Sequence, residues 1–297
     1  MHKYLKSIGF SSVNKRADLH KLMIDVIEHP DEKITAPDYG DGIFTEFIKY
    51  YGQEFGVSVC GAMDDEGHFH VDYYYPFLYG KEITSNEPVN VEKNSERDSF
   101  AGSCDDLRIG VTLIFYLQYP GQYIRDNGLK EGELPQDCAI TLTGLGKEGV
   151  ILLPIEKDRE AVMVEKEQSK KKTDLLAAAR DGDEEAMESL TMEDMDTYSM
   201  ISERIMTDDV FTIVDSFFMP HGIECDQYSI LGEIMDFRYA TNNVTGEEIC
   251  IMTLESNDMQ YKICINRNDL LGEPGIGRRF KGIILLQGRI EEKLPFS

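Results

Sequence analysis

Basic residues are scarce in this chain. Thirty Lys and Arg stand against 55 Asp and Glu, a formal net charge of −25. Affinity for nucleic acid comes largely from neutralising phosphates, so an acidic chain is a poor candidate for that class of partner. An anionic membrane surface would repel it for the same reason. The one basic run, SKKKTD at 169–174, is followed by RDGDEE at 180–185 and reads as solvated linker. Long apolar runs are also missing. The longest, VILLP at 150–154 and IILL at 283–286, have the length of a strand, whereas a membrane-spanning helix needs roughly 20 residues. Residues 1–30 hold no apolar core followed by a cleavage site, so a secreted protein is not expected. No C-x-x-C pair occurs. Cys60, Cys104, Cys138, Cys225, Cys250 and Cys264 are far apart, as suits small buried thiols in a reducing cytosol rather than a zinc or redox centre. The expectation is a cytoplasmic protein without cofactor or metal, binding neither nucleic acid nor membrane. Its acidity suits a basic protein partner.

What is present is enough apolar residue, 41 % over 297 positions, for two cores. HKYLKSIG at 2–9 reads as a short helix ended by Gly9. A longer helix over about 15–29 places Leu19, Leu22, Met23, Val26 and Ile27 at helical spacing, and Pro30 stops it. From about 43 to 156 the period becomes two, as in FGVSVCGAM, HFHVDYYYPF, RIGVTLIFYLQY and CAITLTGLG, which predicts an antiparallel sheet. Residues 157–174 are charged and patternless. The stretch 173–190, broken at Gly182, reads as a packed helix pair continued over 192–205, and a last helix is expected near 208–218. Residues 223–292 read as four or five strands with Gly232, Gly282 and Gly288 embedded, the pattern of a small barrel with sharp bends. The fold class predicted is α+β. An antiparallel-sheet domain with helices spans 1–158, a charged linker and helical connector spans 159–207, and a small OB-like barrel spans 208–297.

The most chemical stretch is GHFHVDYYYPF at 67–77, with His68, His70 and Asp72 in alternation. A hairpin turning at Asp65–Gly67 would pair Asp64 with His68, Ala62 with His70, Cys60 with Asp72 and Ser58 with Tyr74. That register makes one face apolar and the other small or polar, as a half-buried hairpin requires. Two histidines two apart on a strand can ligate one metal, with Asp72 and Cys60 completing a set. The H-x-H-x-D run of metallo-hydrolases, however, is followed at once by another histidine, and here Tyr73 follows. The favoured reading is a polar sheet face, with a metal-dependent hydrolase on His68, His70 and Asp72 as the alternative.

Other motifs are weaker. TGLGKEG at 143–149 lacks the Ser or Thr that follows the lysine of a phosphate loop, and KEG reads as a hairpin turn between apolar strands. Ser103 and Cys104 have no glycine elbow and no base beside them. Arg278 and Arg279, at the mouth of the expected barrel, are the candidates for an anionic ligand, against the ordinary alternative of a charged rim.

MHKYLKSIGF at the start, GDEEAMESLTMEDMDTYSMISERI in the connector and FFMPHGIECDQYSILGEI before the last strands resemble an uncharacterised bacterial family. That family occurs mainly in clostridia and is catalogued as a domain of unknown function. The resemblance spans the whole chain and implies a bacterial cytosolic protein with no assigned activity or catalytic residues. Since no motif joins nucleophile, base and stabiliser, the function expected is non-catalytic binding or interaction rather than that of an enzyme.

Overall fold

In the computed structural model the residues described are 2–37, 42–93, 99–128, 132–133, 138–155, 171, 174–179, 182–190, 192 and 214–292. The first segment is a 3-10 helix, His2–Ile8, stopped by Gly9 at φ +90°, and it leads to α1, Arg16–Glu28, which buries Leu22 and Val26. Eight strands and one further helix follow in the first half. They are β1 (Glu32–Ala36), β2 (Ile43–Tyr50), β3 (Phe55–Met63), β4 (Phe69–Leu78), β5 (Val89–Lys93), β6 (Phe100–Asp105), β7 (Thr112–Leu117), α2 (Pro120–Asn127) and β8 (Gly132–Glu133). There follow β9 (Cys138–Leu152), β10 (Phe217–Pro220), β11 (Gln227–Thr241), β12 (Glu248–Ser256), β13 (Met259–Asn266), β14 (Leu270–Leu271) and β15 (Arg279–Glu292). The chain is mostly β with few helices, an α+β arrangement of two sheets.

Strands β1–β4 form an antiparallel sheet in sequence order. It is covered on both faces. Phe47, Val57, Val59 and Leu78 pack with Tyr4, Leu5, Ile8, Leu22 and Val26 of the N-terminal helices. Phe44, Ile48, Cys60, Tyr75 and Phe77 pack toward Tyr116, Tyr119 and Tyr123 of the second sheet and α2.

The second sheet is mixed and contains the remaining strands. Within it β11 pairs β12, β12 pairs β13, β13 pairs β9 in parallel, β9 pairs β15, and β15 returns to β11. Five strands thus close a ring. The fifth member comes from before the connector, since Cys138–Leu152 runs against Arg279–Glu292 over nearly its full length. Strands from both sides of 159–207 therefore share one sheet, so the two regions expected from the sequence are joined by continuous backbone pairing.

Glycines in β9 let the ring close on large side chains. A Cβ on Gly144 would lie 2.8 Å from Ile284 Cδ1 and 3.0 Å from Ile263 Cγ2, and one on Gly149 would lie 2.2 Å from Phe280 Cε2. The KEG stretch is accordingly no hairpin turn. Lys147 lies in an unbroken strand, at a register shift between Ile283 and Ile284 on the partner. The expected helix over 208–218 is also corrected where it is described: Phe217 and Phe218 open β10, paired with Leu231 and Ile230. Residues 174–179 and 184–190 are helical on either side of Gly182, at φ +93°, while 157–170 and 193–205 lie outside the described residues.

Candidate functional site

The β3–β4 turn is built by Asp64. Its Oδ1 accepts from the backbone N of Glu66 at 3.0 Å and of His68 at 2.8 Å, and Gly67 takes φ +83° to complete the turn. Asp64 pairs with His68 through the backbone and Ala62 pairs with His70, as the alternation predicts. Beyond that the register changes. Gly61 faces Val71 but Cys60 faces Tyr73, so Asp72 is the extra residue of a β-bulge. Ser58 then pairs with Tyr75 rather than Tyr74. The expected pairing of Cys60 with Asp72 is corrected by this one-residue shift. A Cβ on Gly61 would lie 1.9 Å from the His70 carbonyl oxygen, so only glycine fits opposite the bulge.

His68 and His70 stay exposed, at 67 % and 66 % of their side-chain surface, and both turn to Asp64 instead of Asp72. His70 Nε2 donates to Asp64 Oδ2 at 2.9 Å, with His68 Nδ1 3.5 Å from the same oxygen. The hydrogen bond from His70 leads the effects that hold the Asp64 carboxyl at about 2, below the ordinary aspartate value. Among the described residues no group of three or more His, Cys, Asp or Glu is placed to hold a metal ion.

A more enclosed constellation lies on the same sheet. Glu46 is fully buried, and its Oε1 accepts from Ser58 Oγ and Tyr75 Oη, each at 2.7 Å. Its Oε2 accepts from the backbone N of Gly121 at 3.0 Å, in the first turn of α2. Removal from water pushes the carboxyl up, and the three donors act against that shift. Cys60 Sγ lies 3.7 Å from Ser58 Oγ, and burial pushes this thiol well up as well. The residue before α2, Tyr119, holds φ 53° and ψ 49°, with its amide bonded to Tyr75 Oη at 2.9 Å and its hydroxyl 2.8 Å from that of Tyr50. A carboxylate, an alcohol and a thiol in a row suggest nucleophilic chemistry, but all three are sealed from solvent. Their effect is to lock the four-stranded sheet onto α2.

Arg278 and Arg279 are not side by side in role. Arg278 Nη1 donates to the Glu273 carbonyl at 2.7 Å on the surface. Arg279 is 7 % exposed, with Nε on the Leu153 carbonyl and Nη1 on the Val214 carbonyl, both at 3.1 Å. It ties the point where the chain leaves the ring to the point where it comes back. The ring's mouth beside them holds groups the sequence reading passed over: Phe237 and Tyr239, with ring centroids 6.3 Å apart, and Arg267, whose guanidinium lies 5.9 Å from the Tyr239 centroid.

The family model described as "Domain of unknown function, E. rectale Gene description (DUF3881)" matches residues 5–288. The chain belongs to that family. No curated protein and no solved structure matches it. The family brings no residue roles, so the site is known only from its own geometry. Its least expected element, Glu46, did leave a trace in the sequence: in FTEFI it is a lone charge two residues from both Phe44 and Ile48, on the stripe that alternation sends to a core. Tyr239 left none, because its exposure depends on how far the β11–β12 hairpin outruns the ring.

Proposed function

We propose that the chain is a non-catalytic cytoplasmic binding or interaction protein, built on an OB-like barrel and acting with a protein partner. The reading rests on one observation among the described residues, that Glu46, Asp64 and Arg279, the polar groups at the centre of each candidate site, are engaged by the fold itself. The Glu46 carboxylate takes three internal donors, Asp64 takes the two histidines, and Arg279 spends two donors on backbone carbonyls. The barrel label is supported by the closed circuit of five strands with one parallel contact, β13 to β9. Because the ring interior is filled by side chains such as Ile263, Ile284 and Phe280, binding belongs to its rim and outer surface.

The test compares untagged protein with its His70→Ala variant, by elemental analysis and by turnover of phosphoester and amide substrates with added Zn²⁺ or Mn²⁺. Less than stoichiometric metal and no turnover are expected. One metal per chain, lost in His70→Ala together with hydrolysis, would replace this reading with the metal-dependent hydrolase.

A further inference from the structure

The second half of β11 changes faces at a register shift between Ile234 and Asp236. After it Phe237 faces Met252, Tyr239 faces Cys250 and Thr241 faces Glu248. Met252 and Cys250 are fully buried in the core that fills the ring. Phe237 and Tyr239 therefore continue the inward row past the point where the ring ends. Phe237 still packs against that core, and Tyr239 is 37 % exposed.

The surroundings of Tyr239 are charged in a particular way. Arg267 lies over the ring and is itself ion-paired with Glu273, and its Nη1 donates to the Leu270 carbonyl at 3.3 Å. Glu273 is paired with the Arg267 that covers the ring, and Glu248 stands opposite Thr241, two residues along β11 from Tyr239. On the loop that carries Glu273, Leu271 and Ile276 each expose 72 % of their surface. An aromatic face, two carboxylates and a loop with exposed apolar side chains are the elements of a receptor for a guanidinium on an apolar stem. The molecule already shows the contact within itself, since Arg267 is an arginine held on Tyr239 by Glu273.

We propose that this mouth is a docking surface for an arginine-bearing segment of a basic protein partner, which would share Tyr239, Glu248 and Glu273 with Arg267. The proposal rests on the reading of the chain as a binding protein and specifies its partner's chemistry. Charge selects this occupant. A chain at −25 attracts basic partners over distance, and two carboxylates beside the ring oppose an anionic ligand, whose natural contact, Arg267, is already paired.

The probe is a fluorescein-labelled octapeptide of alternating Arg and Leu, titrated with the full chain and followed by anisotropy at physiological salt. Saturable binding is expected, weakened about fivefold or more in Tyr239→Ala and retained in Tyr239→Phe, which keeps the ring. Glu248→Gln and Glu273→Gln should each weaken it more than Asp65→Asn or Glu66→Gln, which remove the same charge at the distant β3–β4 turn. Equal effects at the two places would mean that only overall charge is read and would overturn the proposal. So would the absence of saturable binding, or preference for a Glu-Leu peptide of the same length that is lost in Arg278→Ala. None of these results depends on metal content or turnover, so this surface and the non-catalytic reading fail separately.

Discussion

Tyr75 on β4 and Glu46 on β2 meet within the four-stranded sheet: the phenol donates to the carboxylate at 2.7 Å and accepts the Tyr119 amide at 2.9 Å. One tyrosine thus links the carboxylate on β2 to the residue that starts α2. Removing the carboxylate would leave Ser58, Tyr75 and the Gly121 amide without their acceptor in a dry site. Glu46→Ala is expected to cost about 3 kcal/mol or more, since each stranded donor costs about 1–3 kcal/mol. The urea midpoint measures it, and a change under about 0.5 kcal/mol, the ordinary range for a surface position, would show that the network is not structural.

Gly61 offers a sharper backbone test. A methyl there meets the His70 carbonyl oxygen at 1.9 Å, a backbone atom with no rotamer to give. Gly61→Ala should destabilise by about 1–3 kcal/mol, the usual range for overpacking. Gly67→Ala at the exposed turn meets no neighbouring atom and should cost less, through its φ of +83° alone. Thermal melts of the two variants in the reverse order would argue against the bulge at Asp72.

Asp64 carries a pH signature. Its carboxyl is depressed to about 2, below the ordinary aspartate value of 3.8. A depressed acid contributes stability that is present above the unfolded value and lost as pH falls through the folded one, so the window runs from about 4 down to about 2. In His70→Ala the carboxyl should move up toward 3.8, as read by NMR titration of the side-chain carbon. An unmoved value would mean that the backbone donors from His68 and Glu66 hold the charge alone.

The shared sheet predicts how a cut chain behaves. Trypsin has several sites in KDREAVMVEKEQSKKK at 157–172, and cleavage there separates β9 from its neighbours in sequence only. With β9 laddered along β15, the two fragments should migrate as one species on size exclusion and separate only on a denaturing gel. Uncut protein should unfold in one transition. Fragments that separate in native buffer would restore two independent cores.

Nucleic acid should not be retained. At physiological salt a labelled single- or double-stranded oligonucleotide is expected to show no binding by the −25 chain. Micromolar binding that weakens steeply with added salt would point to a local basic surface.

Four strands of the second half, β11, β12, β13 and β15, fall within the 223–292 stretch that reads as four or five strands, because they alternate strongly and are separated by turn residues such as Asn257 and Asp258, both at positive φ. The α1 helix was equally plain from its apolar spacing and Pro30. Asp64, His68 and His70 were placed on one turn by local chemistry, which acts between residues close in the chain. Three things were decided only by tertiary structure. A bulge adds one residue at Asp72 without altering the alternation on either side, so it can be seen only when two strands are laid together. Glu46 is stable in the core because donors arrive from residues 58, 75 and 121, which no local pattern links. The ring closes with β9, far from its partners in sequence, because glycines at 144 and 149 accommodate Ile284 and Phe280. Period and turn chemistry are local and can be read along one chain. Which sheet edge a strand joins is settled by long-range burial, which the order of residues alone does not display.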